Sequence, residues 1–319
     1  MSALPGVPAI GEARAVLAKY FPATPSVKAR SLSNSTVEVH LKLEIALPTG
    51  SFKPRGALYA LAKNLERKKI EEVTASSTGN HGAATAFAAR TLDIRATIFL
   101  PENANPVKRK KIEDLGASVV CKGSIDLAGA FVAANEYSRR SGIYFLNDAT
   151  DPDLPAGPGT IGLELTEQLT NISTVFVPMG DTALIRGVGS AIKQLSSQTR
   201  VIGVQAEKAP SYVLSWRAGK PIATETCDTC ADGLATRTPE ASNVAAIREV
   251  VDDVVLVSEQ QMLDAVKHLY NKENVLAEPA GAAATAAYLA NPVSGRVVLL
   301  VTGANISDEV RQQAGIENR

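Results

Sequence analysis

Short runs rich in β-branched and apolar residues alternate along this chain with longer stretches rich in Ala and Leu. The short runs fall at 36–43, 73–76, 96–100, 118–121, 143–146, 174–177, 201–205, 254–257 and 297–301. Between them lie segments of helical length, including 83–90, 127–141, 161–169, 184–195 and 259–271. Strands that are apolar throughout are buried on both faces, as in a parallel sheet covered by helices. The pattern therefore predicts a doubly wound α/β architecture. The Ala-rich run 280–290 reads as a tightly packed helix, because small side chains let backbones approach. Three prolines and two glycines break the pattern between Asp151 and Gly159, and 148–159 is read as a crossover between two lobes.

Charge narrows the class of partner. Of 319 residues, 33 are basic and 33 acidic, so no net field recruits nucleic acid or an anionic membrane. A small-molecule partner is the expectation. The longest strongly apolar runs, such as 297–301, are far too short to span a bilayer, and the N-terminal residues carry no basic segment followed by an apolar one. A cytoplasmic protein is expected. The cysteines Cys121, Cys227 and Cys230 fit a reducing compartment. Cys227 and Cys230 have redox or zinc spacing, but no second ligand pair follows, so no metal site is expected.

Where the pattern turns from strand to helix, the chain carries chemistry. Lys53 lies in Pro48-Thr49-Gly50-Ser51-Phe52-Lys53-Pro54-Arg55-Gly56-Ala57, with turn formers before it and a helix expected after it. An amine that loses its charge on desolvation can condense with an aldehyde. In open α/β sheets, ligands bind beyond the carboxyl ends of strands, where helix N-termini direct N–H groups at anions. Such ends occur at Ser76-Ser77-Thr78-Gly79-Asn80-His81-Gly82, at Pro178-Met179-Gly180-Asp181-Thr182-Ala183 and at Thr302-Gly303-Ala304-Asn305. Each alone reads equally as an ordinary cap or turn. Together they describe an amine, two anion cradles and a hydroxyl donor, which is what pyridoxal 5'-phosphate requires.

Lys42-Leu43-Glu44 followed by the lysine motif resembles the signature of fold type II pyridoxal-phosphate enzymes, in the serine/threonine dehydratase branch that also contains serine racemase. The resemblance continues through Ala156-Gly157-Pro158-Gly159-Thr160, Ala231-Asp232-Gly233 and Glu278-Pro279-Ala280-Gly281-Ala282. It implies two doubly wound, mainly parallel-sheet domains like those of the tryptophan synthase β chain, with the cofactor in the cleft between them. Residues 53–149 would form the small domain, and 1–52 with 150–319 the large one. Lys53 would hold the cofactor as a Schiff base and later take the substrate's Cα proton. Phe52 would pack beside the ring, Asn80 would bond the ring oxygen, Gly180, Asp181, Thr182 and Ala183 would bind the phosphate, and Thr302 would meet the pyridine nitrogen. Ser77, Thr78, Asn80 and His81 would bind the substrate carboxylate. A hydroxyl at the ring nitrogen makes a weaker electron sink than a carboxylate does, which favours β-elimination from an amino acid to a 2-oxo acid and ammonia. A homodimer is also implied.

The chain departs from that family in places. Its phosphate loop has Gly180-Asp181-Thr182-Ala183 in place of four glycines, and a carboxylate beside a dianion is unfavourable unless it turns away. Asp181 is expected to face solvent or a partner residue. Pro158 replaces the family's glutamine and removes a backbone donor. Thr78 stands where racemases place a serine, so racemisation and β-replacement rank below elimination. Gln205 weakens cation binding at its strand end, leaving Glu207 and Asp232 as candidates. Lys108, Arg109, Lys110 and Lys111 read as a solvated helix face. Departures at 146–149 and at Pro158 mark a possible change of substrate within β-hydroxy amino acids, such as 3-hydroxyaspartate or a phenylserine. A non-catalytic nucleotide-binding module is the reading from another class, and neither glycine-rich phosphate motif that it needs is present.

Overall fold

The computed structural model describes residues 4–77, 79–102, 104, 106–121, 123 and 126–316. Its strands are β1 (Ser26–Lys28), β2 (Val37–Leu43), β3 (Glu72–Ser76), β4 (Arg95–Phe99), β5 (Ser118–Val120), β6 (Ile143–Phe145), β7 (Ile172–Pro178), β8 (Arg200–Ala206), β9 (Asp253–Val257) and β10 (Gly295–Val301). The helices are α1 (Val7–Leu17), α2 (Lys53–Arg67), α3 (Asn80–Thr91), α4 (Pro106–Asp114), α5 (Leu127–Tyr137), α6 (Ala156–Gln168), α7 (Ala183–Leu195), α8 (Ser211–Ala218), α9 (Ala241–Val250), α10 (Glu259–Glu273), α11 (Pro279–Ala290) and α12 (Asp308–Gln313). Two sheets result, of order β1-β2-β10-β7-β8-β9 and β5-β4-β3-β6. Apart from the antiparallel pair β1 and β2, the pairings are parallel.

Alternation along single strands shows why both faces are covered. In β10, Val297, Leu299 and Val301 enter a cluster with α10 and α11, whereas Val298 and Leu300 enter one with α6, α7 and α9. A second core, built on α2, α3, β3 and β4, fills the four-stranded sheet. All nine runs read as strands are strands. The pattern missed β1, a three-residue edge whose burial is slight.

Helix starts differ more. The glycine- and proline-rich segment read as a crossover already becomes α6 at Ala156. Its glycines serve packing as well as turning: a Cβ on Gly157 would lie 2.2 Å from the Arg55 carbonyl oxygen. Pro158 sits in the first turn of α6, where backbone N–H groups have no intrahelical acceptor, so the donor it lacks is not missed. In α11 the alanines from Ala280 to Ala287 are buried, and a Cβ on Gly281 would lie 2.2 Å from the Gly303 carbonyl oxygen. The small residues let that helix lie against the turn that follows β10.

A buried charge network fastens α2 to the large sheet. Arg55 donates to Glu44 (2.7 Å from Nε), to Thr160 (2.8 Å) and to Glu164 (2.6 Å) from its two remaining nitrogens. Lys42 donates to Glu164 at 2.6 Å and to the Thr24 carbonyl at 2.7 Å. Burial alone would lower the Arg55 pKa, but Glu44 and Glu164 outweigh it and hold the guanidinium above its ordinary range. Lys42, Glu44, Arg55 and Thr160, all in the recognised motifs, thus join β2, α2 and α6. They set the position of Lys53 without touching it.

Candidate active site

The lysine turn is pinned to the end of β10. Phe52 N–H donates to the Thr302 carbonyl at 3.0 Å, and Ser51 bridges to Gly303. Gly50 has φ +69°, and a Cβ there would lie 3.2 Å from Asn305 Oδ1, so a glycine suits the turn twice over. From this turn Lys53 opens α2, with Nζ 5.4 Å from the Phe52 ring centroid.

That ammonium is engaged: Lys53 Nζ donates to Asp148 Oδ2. Asp148 lies in the loop after β6, 95 residues away in sequence. Its other oxygen is 3.7 Å from Nδ1 of His81, whose Nε2 meets the Leu146 carbonyl at 2.9 Å. A carbonyl oxygen only accepts, so Nε2 of His81 carries a proton and donates it to Leu146. Burial works to raise the Asp148 pKa, yet Lys53, His81 and Arg186 bring it down to about 2.

At the start of α3, Gly79 N–H donates to Ser77 Oγ at 3.2 Å, and a Cβ on Gly82 would lie 2.6 Å from the Ser77 carbonyl oxygen. Thr78 lies outside the described residues. Asn80 is held on both sides: Nδ2 donates to Glu278 at 2.6 Å and Oδ1 accepts from Asn305 at 2.5 Å. One N–H of its amide remains for a ligand.

The turn before α7 gives the helix no side-chain cap, and Thr182 adopts the left-handed conformation at φ +69°. A non-glycine residue there is uncommon and fits a turn shaped to aim N–H groups. Gly180 packs against Gly233, whose carbonyl oxygen a Cβ on Gly180 would meet at 2.2 Å, which explains the glycine at 180. Asp181 accepts from Thr236 Oγ1 at 2.9 Å. It takes a partner residue and still stands on the cleft wall, where burial first and Asp148 second raise its pKa.

One cavity gathers these residues. Phe52, Lys53, Ser77, Asn80, His81, Gly180, Asp181, Thr182, Ala183 and Thr302 all line it. Sequence reasoning missed Asp148, Glu278 and Lys111 as members. Lys111 corrects the solvated-face expectation. Arg109 and Lys110 pair outward with Glu113 and Asp114, but Lys111 turns inward to Asn305 Oδ1 and the Thr49 carbonyl. Successive residues of a helix point about 100° apart, so Lys111 leaves the face that Arg109 and Lys110 share. The signal for Asp148 was its place at a strand end, where ligands collect.

Gln205 is buried in the core with Oε1 accepting from Val213 N at 3.0 Å, so it faces no cation. Among the described residues no cluster of three or more His, Cys, Asp or Glu side chains is arranged to hold a metal ion. Cys227 and Cys230 are both free thiols, and burial with Glu259 beside it pushes Cys230 up to about 12. Such a thiol is inert at neutral pH.

A family model described as pyridoxal-phosphate dependent enzyme matches residues 18–303. The L-threonine ammonia-lyase of Thermotoga maritima is 39% identical over 271 residues, covering 84% of this chain and 67% of that protein. Threonine deaminase isoform 2 from Solanum lycopersicum superposes with a TM-score of 0.89 at 27% identity, covering 98% of this chain and 94% of that one. Maize serine racemase gives a TM-score of 0.91 at 28% identity, covering 98% and 97%.

Proposed function

We propose that this chain, which belongs to the pyridoxal-phosphate dependent enzyme family, eliminates water from a β-hydroxy amino acid such as L-threonine or L-serine, giving a 2-oxo acid and ammonia. The observation that carries this reading is the amine of Lys53, opening a helix in the same cavity as the N-termini of α3 and α7.

The cavity wall suits the family's cofactor. Ser76 Oγ, His81 Nδ1 and Asp148 Oδ1 are buried on it with no hydrogen-bond partner. Buried polar groups are normally satisfied, so a wall with several unmet ones is made for a polar ligand. The uncapped first turn of α7 supplies N–H groups for a phosphate, and Thr302 supplies a hydroxyl on the same cavity wall. Bound there, pyridoxal phosphate contributes an aldehyde for amines and a ring that draws electrons from the substrate's Cα.

The remaining work falls to the chain. Lys53 Nζ takes the Cα proton, the β-hydroxyl leaves with a proton as water, and hydrolysis then releases ammonia, so water lost is balanced by water consumed. Ser77, Asn80 and His81 hold the carboxylate at the start of α3, together with Thr78. Phe52 packs beside the ring and Asn80 donates to its oxygen. Gly180, Asp181, Thr182 and Ala183 enclose the phosphate. Thr302 offers a hydroxyl in place of a carboxylate, which leaves the ring a weak electron sink and favours prompt loss of the β-substituent. The likeness to maize serine racemase favours racemisation as a second reading, and chiral analysis after incubation with L-serine separates the two.

The same reading treats residues 53–149 as a small domain and 1–52 with 150–319 as a large one. Its support is that the strands of the four-stranded sheet all lie between Glu72 and Phe145. A homodimer and a cytoplasmic location complete it. Among the described residues, no helix is long and apolar enough to cross a membrane. Borohydride reduction followed by peptide mapping should place the cofactor on Lys53, and Lys53→Ala should lower 2-oxo acid release by at least about 10³-fold, the scale of losing a covalent catalyst. A reduced adduct on another lysine would refute the assignment.

A further inference from the structure

We propose that Asp148 selects the substrate by its β-substituent, accepting a hydrogen bond from a β-hydroxyl or other neutral or cationic donor and excluding a β-carboxylate. The inference rests on the elimination reading and narrows its substrate class.

Lys53 Nζ has to reach the hydrogen on Cα, and Asp148 Oδ2 is in hydrogen-bond contact with that same nitrogen. Groups attached to Cα therefore come within a few ångströms of the carboxylate. Asp148 has a free acceptor to offer them, since Oδ1 is buried without a partner. A buried acceptor left unmet is costly, and a substrate donor that meets it gains specificity. The α-carboxylate is provided for elsewhere, at the N-terminus of α3.

Charge points the same way. Asp148 remains ionised at neutral pH, and Asp181 stands on the same wall, close enough to be raised by it. The cationic groups facing this pair are already engaged. Lys53 is bound to Asp148, while Arg186 donates to the Ala149 carbonyl at 3.0 Å. The Nε2 proton of His81 is already used on the Leu146 carbonyl. A second substrate carboxylate would meet like charge at contact distance, where effective dielectric screening still leaves a penalty of roughly 10²- to 10³-fold in affinity. Of the β-hydroxy amino acids, L-serine and L-threonine fit and 3-hydroxyaspartate does not.

The test compares two probes that differ in one group. Calorimetric titration of the cofactor-loaded protein should show malonamate binding at least tenfold more tightly than malonate, and Asp148→Asn should erase that preference. Equal or tighter binding of malonate by the wild-type protein overturns the proposal even if the variant does not fold, and so does an unchanged preference in a folded variant. A parallel assay measures 2-oxo acid release from L-serine, L-threonine and 3-hydroxyaspartate. Release from none of them sinks the elimination reading, and the binding ratio still decides the role of Asp148. Faster release from 3-hydroxyaspartate than from L-serine overturns the role of Asp148 alone.

Discussion

Lys53 and Arg55 stand two residues apart in the first turn of α2 and enter two buried clusters of charge that are built differently. Around Arg55, two cations and two carboxylates cancel, and Thr24 and Thr160 take up remaining bonds. None of their side-chain polar atoms is left without a partner. Around Lys53, the charges also oppose one another, but Asp148 Oδ1 and His81 Nδ1 are unmet. Buried charge that is fully bonded fixes a scaffold, and buried charge with unused capacity is available to a ligand. One helix turn carries both uses.

The comparison is best broken at its fully bonded half. Arg55→Met removes one partner of a buried network and leaves Glu44 and Glu164 short of positive charge, so urea unfolding should register a loss of about 3–5 kcal/mol. A loss below about 1 kcal/mol would mean that the network is not what fastens α2.

Acid titration sharpens the other half. Asp148 has its pKa lowered from 3.8 to about 2 in the fold. Its contribution is present above the unfolded value and is lost as pH falls through the folded one, between about pH 4 and pH 2. Its size is about 2 kcal/mol. In cofactor-free protein, wild type should lose that increment over this window and Asp148→Asn should not, as read from unfolding midpoints across pH.

Asp181 has the opposite sign. Its raised pKa means that the native state disfavours the ionised form, a penalty present at neutral pH and absent below the unfolded value. Asp181→Asn should therefore stabilise the protein at pH 7 by about 1 kcal/mol, the ordinary scale of one site. The same variant should bind inorganic phosphate more tightly in a competition titration, because a charge leaves the cradle. The smallest effect is expected at Pro158. Pro158→Ala should lower stability by no more than about 1 kcal/mol in thermal unfolding, the cost of one added N–H for which the buried first turn of α6 offers no acceptor.

Legibility in the sequence followed distance along the chain. Every strand read from apolar runs was found because burial on two faces leaves a local signature, and the turns at strand ends were found because glycine, serine and threonine punctuate them. The ten described residues named for the site all line one cavity. Asp148 was noticed only as a departure, since its meaning depends on a lysine 95 residues earlier. Lys111 was misread because its contact, Asn305, lies 194 residues further on. The motif residues Lys42, Glu44 and Arg55 look like part of the chemistry in sequence and prove to be its foundation.

By itself, the amino-acid order determined the alternation of strand and helix, and with it the sheets and the strand ends where ligands gather, because apolar periodicity and turn chemistry act over a few neighbours. Which buried charges were satisfied and which were left open was decided only by the tertiary structure. A hydrogen bond depends on ångströms and angles between side chains from distant segments, and those exist only once the chain has packed.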